Sequence, residues 1–270
     1  MLEDQYRIPP HSPLSATVQS FWQVNRNYTG PLRERILPKG TVELIFNFVT
    51  GNPICGSTGS GAVTLPRCFV NGHNQLPVAL EVPGRHHLFG VILQPAGLHG
   101  LFGIPAGDFA DRCLDLVLVD RSFDSLWHQL LGAPDFATRV AATGHWLQQR
   151  NIRLGPRELE FNRVLTERCV DGLSVKSLSE RLCYSPRQLS RKLLALTGRN
   201  TEENLLFRRY LRALDLLHND EASLTSIAYD CGFSDQSHFI RAFRASAGMT
   251  PGEYRRQRSH LPGHLFELVR

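Results

Sequence analysis

Residues 174–185 read SVKSLSERLCYS, and residues 223–234 read SLTSIAYDCGFS. The two stretches are degenerate copies of one pattern at an offset of 49. Val175 pairs with Leu224, Leu178 with Ile227 and Tyr184 with Phe233. After one inserted residue the match resumes, with Leu189 on Phe239, Arg191 on Arg241, Leu193 on Phe243 and Gly198 on Gly248. Each copy has the grammar of a helix, a turn of about three to four residues and a second helix. Ser174 and Ser223 stand where a hydroxyl caps the first helix, and Ser185 and Ser234 are expected to cap the second. Pro186 suits a first helical position. Leu189 and Leu193, or Phe239 and Phe243, lie four residues apart and share a buried face.

The opposite face of each second helix is polar. It carries Arg187, Ser190, Arg191 and Lys192 in the first copy, and Gln236, Ser237, His238 and Arg241 in the second. Arg and Gln hold base edges bidentately in a major groove, while Ser and Lys commonly reach phosphates. The partner this pattern predicts is double-stranded DNA. Residues 202–218, EENLLFRRYLRALDLLH, read as one amphipathic helix through Leu205, Tyr210, Leu214 and Leu217. Such a connector would hold two reading heads about 34 Å apart, one turn of DNA. Charge agrees with that partner. Arg187, Arg191, Lys192, Arg199, Arg208, Arg209 and Arg212 are opposed only by Glu202 and Glu203 over that span, a surplus equal to the +5 of the whole chain.

Outward from this repeat the character changes. Up to about residue 110 the 270-residue chain is rich in Gly and Pro with short β-type runs at 41–49, 78–82 and 88–93. Turn residues separate them at 38–40, 50–53, 56–61 and 83–84. Ser122–Leu131 and Pro134–Gln149 then carry apolar residues at helical spacing, and Gly155-Pro156 breaks the chain. The expected fold class is α+β in two domains. A β-rich cupin-like barrel or sandwich with trailing helices spans 1–155, an all-α tandem helix-turn-helix unit spans 156–260, and a tail spans 261–270.

Residues 170–256 resemble the DNA-binding domain of AraC/XylS-type regulators. The second copy carries the resemblance: Ile227, Ala228, Gly232, Phe233, Ser234, Gln236, Ser237, His238 and Phe239, then Phe243 and Arg244, then Gly248, Thr250, Pro251 and Tyr254. The resemblance implies seven helices, transcriptional control that is most often activation, contact with RNA polymerase, and a DNA-facing place for Arg244. The first copy departs from the family pattern at Cys183, where Gly is common; a Cys held in a left-handed turn there costs about 1 kcal/mol. Arg35–Asn47 and Gly90–Gly97 look like the small β-rich domain that precedes this unit in one subgroup. That implies a small-molecule effector pocket and leaves its residues and ligand unknown.

Other classes find less support. An N-terminal metalloenzyme needs a ligand cluster, but His86 and His87 are adjacent and point to opposite faces of a strand, so we expect no metal, no cofactor and no catalytic residue. The six cysteines form no C-x-x-C pair and read as buried small apolar residues. Glu43, in an otherwise apolar strand, is either a pocket residue or an outward position. No apolar run approaches the roughly 18 residues of a membrane span, and the N-terminus is no secretory signal, so the expected compartment is the cytoplasm. Leu126, Trp127, Leu130 and Leu131 cluster on one short helix, and we expect a homodimer through residues 122–150.

Overall fold

The computed structural model describes residues 4–28, 30–49, 53–82, 84–167 and 174–268. The turn residues at 50–52, Pro83 and Cys169 lie outside them. Nine strands open the fold: β1 (Asp4–Arg7), β2 (Val18–Asn27), β3 (Leu32–Ile36), β4 (Val42–Asn47), β5 (Cys55–Thr58), β6 (Gly61–Thr64), β7 (Cys68–Asn71), β8 (Val78–Val82) and β9 (Arg85–Leu93). After α1 (Gly97–Phe102) and a 3-10 turn at Ala106–Phe109 come β10 (Cys113–Asp115), α2 (Leu116–Val119), α3 (Ser122–Leu131) and α4 (Phe136–Gln149). Seven helices follow among the described residues: α5 (Pro156–Thr166), α6 (Val175–Leu182), α7 (Pro186–Thr197), α8 (Thr201–Asn219), α9 (Leu224–Asp230), α10 (Gln236–Ala247) and α11 (Pro251–Gln257). The last element, β11 (His264–Leu268), is again a strand.

The β-rich half is a sandwich. One antiparallel sheet runs β1-β2-β9-β4-β7-β10 and the other β11-β3-β8-β5-β6. Alternation sorts the side chains. Ile45 and Leu88, with Trp22 and Phe69 of their own sheet, face the second sheet and meet its Leu80. Leu44, Phe46 and Phe89 face the other way, against Phe123, Leu126 and Leu130 of α3. Gly90 has a specific reason to be glycine: a Cβ there would lie 2.1 Å from the Trp22 indole. Trp22 and its neighbours fill the space between the sheets.

β11 was not foreseen. The stretch expected to be a tail pairs antiparallel with β3, from His264 opposite Ile36 to Leu268 opposite Leu32. The chain therefore leaves the helix-turn-helix half and adds an edge strand to the N-terminal sheet. His264 Nδ1 pairs with the buried Glu34 carboxylate at 2.5 Å, and Lys39 Nζ sits 2.9 Å from its other ring nitrogen. Leu265 packs with Leu37 into the core of the second helix-turn-helix.

Two other expectations change. Leu126, Trp127 and Leu130 are buried in their own domain's core, and the Trp127 indole donates to the Asn47 carbonyl at 2.9 Å. Of that cluster only Leu131 remains exposed, so these residues offer little to a partner copy. Cys68 and Cys231 are buried as expected, but Cys55 and Cys183 are exposed. Glu43 is buried between the sheets and is no outward position. Among the described residues no group of three His, Cys, Asp or Glu is arranged to hold a metal, and no helix is long and apolar enough to cross a membrane.

His73 gives the fold a pH dependence. Full burial, with Arg199 close by, pushes its pKa down from 6.5 to about 3. Burial depresses His86 and His264 as well. An unfolded histidine takes up its proton near pH 6.5, so the unfolded state binds more protons below that value. The stability is whole above about pH 6.5 and is lost as pH falls toward 3. Melting temperature should therefore drop between about pH 7 and 5, and His73→Phe should flatten the drop. An unchanged slope in the variant would contradict this.

Candidate nucleic-acid interface

Local chemistry fixes both helix-turn-helix units. In the first, the Ser174 hydroxyl accepts from Ser177 N–H at the start of α6, and Ser185 accepts from Gln188 N–H at the start of α7. Gln188 bonds back to the Ser185 backbone at 3.2 Å, completing a reciprocal cap. Leu189, Leu193 and Leu196 of α7 bury against Leu178, Leu182 and Phe161. In the second, Ser223 caps α9, but the cap of α10 is Asp235 and not Ser234. The Asp235 carboxylate accepts from His238 N–H at 2.7 Å, which draws its pKa down. The inserted residue explains the shift: Asp235 takes the place of Ser185, so Gln236 matches Pro186 and Ser237 matches Arg187. Arg191 and Arg241 remain equivalent. Arg244 falls where the first copy has Leu194, whose apolar side chain is 51% exposed.

The sequence-derived residues come together as two exposed faces. Arg187, Arg191 and Lys192 are exposed on α7 and Ser190 is half-buried; Gln236, Ser237, Arg241 and Arg244 are exposed on α10. None of their charged groups forms an ion pair among the described residues, so the charge is available to phosphate. Thr225 of α9 donates to Gln236 Oε1 at 2.6 Å, which fixes the amide; this contact was not legible from spacing. His238 is half-buried, with its ring edge-on to Phe233 and Nδ1 3.1 Å from the Ser234 hydroxyl. It braces the turn as well as bordering the surface.

Some expected surface charge is internal. Arg208 is buried and donates to the carbonyls of Val164, at 2.8 Å, and Glu167 at the end of α5. Arg199 is buried with its guanidinium 3.8 Å from the Phe207 ring centre. These two arginines tie α8 to the rest of the molecule, and the surplus counted along 187–212 overstates what faces solvent. An uncounted network does similar work. Arg181 bonds Glu160 and Glu167, at 3.0 and 2.6 Å, and joins α6 to α5.

Cys183 has φ 54° and ψ 45°, the left-handed turn that favours glycine. Its counterpart Gly232 has φ 74°. Relief of the strain, less the extra freedom glycine has when unfolded, predicts that Cys183→Gly stabilises by about 0.5–1 kcal/mol. Chemical denaturation of both proteins measures it, and a destabilised variant would contradict the strain.

The N-terminal half grips the far ends of both recognition helices. Gln75 donates to the Gly198 carbonyl at 3.2 Å beyond α7, and Arg35 donates to the Ala247 carbonyl at 3.2 Å at the end of α10. Asn162 of α5 accepts from Ala96 N–H at 2.7 Å and donates to the Ala16 carbonyl at 2.8 Å. Helix ends have unpaired carbonyls, and here the N-terminal half supplies donors.

Comparison with known proteins agrees with this geometry. Residues 178–257 match a family profile described as a helix-turn-helix domain, and residues 6–115 match one described as a domain of unknown function, DUF6597. The HTH-type transcriptional activator RhaS of Escherichia coli (strain SE11) is 36% identical over 94 residues, 35% of this chain and 34% of RhaS. The chain thus matches about a third of the length of such curated relatives. A solved AraC-type transcriptional regulator from Chromobacterium violaceum is 30% identical, with TM-score 0.36 over 39% of this chain and 94% of that one. The DNA-binding domain of AdpA, solved in complex with a target DNA, is 28% identical, with TM-score 0.34 over 38% and 92%. Residues 178–257 thus form a DNA-binding helix-turn-helix domain of the AraC type, the part of the chain that is similar to RhaS.

Proposed function

We propose that this regulator reads its operator with α7 and α10 in consecutive major grooves. Arg187 and Gln236, early on their helices, address base edges. Ser190, Arg191, Lys192, Ser237, His238, Arg241 and Arg244 contact the backbone or border it. The observation that carries the reading is the pair of capped helices with exposed polar faces joined by the single helix α8. Its 19 residues span about 28 Å at the usual rise. Residues 1–155 act as the effector-responsive part, in a cytoplasmic homodimer that activates transcription through RNA polymerase and catalyses no reaction. Their grip on the ends of both recognition helices gives that part a direct means of altering head spacing.

Salt dependence of operator binding tests the electrostatic half of the reading. Each phosphate contact releases counterions, so log affinity should fall with log salt at about −0.9 per contact. The two helix faces carry five exposed cations (Arg187, Arg191, Lys192, Arg241 and Arg244). We expect a slope of about −3 to −5 for one chain on its operator. A slope near zero, or equal affinity for operator and scrambled duplex at every salt concentration, would overturn it.

A further inference from the structure

We propose that Thr225 is a positioning residue that makes Gln236 a reader of guanine. The proposal rests on the base-edge role given to Gln236 above, and it names the base that the second head requires and the side chain that sets the requirement.

A glutamine amide has an accepting end and a donating end, and a free one turns either toward DNA. Gln236 is not free to do so. The Thr225 hydroxyl donates to its Oε1 at 2.6 Å. Thr225 is the second residue of α9, so the carbonyl four residues back lies before the helix and does not compete for that hydroxyl. Gln236 opens α10. The bond therefore draws the amide oxygen back toward α9 and leaves the nitrogen, at the opposite corner, to project from the recognition helix. The neighbouring Asp235 carboxylate does not capture that nitrogen, because it is engaged at the helix cap. It accepts from His238 N–H at 2.7 Å and from the Ser234 hydroxyl at 3.1 Å. The reverse arrangement would turn a carbonyl oxygen toward the duplex, against the negative potential of its phosphates.

An amide that presents its donors favours one base edge. Guanine sets two acceptors, N7 and O6, side by side in the major groove and takes both N–H groups of one nitrogen. Adenine sets a donor beside its N7, and its bidentate pair with glutamine needs Oε1 turned toward the base. Cytosine offers a donor, and thymine one acceptor beside a methyl group. The first head has no counterpart to this device. Pro186 matches Gln236, and Lys176 stands at the offset of 49 from Thr225, with its ammonium 4.0 Å from Glu180. The guanine requirement thus falls in one of the two patches and gives the operator a direction.

Sites selected from random DNA by the full chain supply the duplexes for the test. Gln236→Ala marks the position, as the base pair whose preference it relaxes. We expect a G·C pair there, with guanine bound about tenfold or more tightly than adenine. Placing 7-deazaguanine at that position removes the N7 acceptor; it should weaken wild type several-fold and leave Gln236→Ala unchanged. Thr225→Val keeps the shape of the side chain but releases Oε1, so its preference for guanine over adenine should fall to within about threefold, while Thr225→Ser retains the wild-type ratio. A ratio of affinities does not depend on the folded fraction, so lost stability cannot imitate this change. If Gln236→Ala relaxes no position, the base-edge role itself fails. If it relaxes an A·T pair, that role stands and the guanine assignment is overturned. A 7-deazaguanine duplex bound as tightly as the natural one also overturns the assignment. A guanine preference that Thr225→Val leaves intact overturns the part given to Thr225.

Discussion

Gln236→Ala should cost about 1–3 kcal/mol of operator affinity and relax preference at one or two base pairs. Gln236 is the first residue of α10, exposed, with its amide fixed by Thr225, so it is presented in one orientation. Preorganisation of that kind is what base readout needs, since a freely rotating amide loses entropy on binding. Arg187→Ala should damage specificity less, because the turn before α7 contains the strained Cys183. Lys192→Ala should weaken operator and random duplex alike, as a point charge on phosphate carries no sequence information. Titration of each variant against operator and single-base substitutions gives both numbers. Equal losses on operator and random duplex for Gln236→Ala would remove it from the base-reading role.

Phe243→Ala should destabilise the protein by about 3–5 kcal/mol and lower its melting temperature by on the order of 10 °C. The ring is fully buried and lies 5.2 Å from Tyr210, 5.9 Å from Phe239 and 6.1 Å from Tyr254, centre to centre. It thus joins α8, α10 and α11, and truncation leaves a cavity that three helices must close around. The first helix-turn-helix has a separate core around Leu178, Leu189 and Leu193. Operator affinity should therefore fail through the second head. Calorimetry measures the loss; a shift of under about 1 kcal/mol would mean that this aromatic cluster does not hold the head together.

The helix-turn-helix units were legible because their determinants are local. Ser174, Ser185, Pro186 and Ser223 lie beside the helices they start, and Leu189/Leu193 and Phe239/Phe243 show their buried face by spacing alone. The cap at Asp235 was missed by one residue because Ser234 aligns with Ser185 until the insertion is placed. β11 was illegible for a different reason. A five-residue strand is defined by its partner, and Leu32–Ile36 lies more than two hundred residues away in sequence. Burial of charge was equally non-local. Nothing near Arg199 or Arg208 shows that one stacks on Phe207 and donates to Asn74 while the other caps α5. The apolar stripe of Leu126, Trp127 and Leu130 shows the complementary error. A stripe marks a buried face and does not say which surface buries it.

Selection of bound sequences from random DNA by the full chain is the most direct test that two heads read bases together. The geometry predicts two enriched patches with centres about ten base pairs apart, one for each recognition helix. Arg187→Ala should blur one patch and Gln236→Ala the other. A single patch, no enrichment, or an unchanged site selected by both variants would contradict the account.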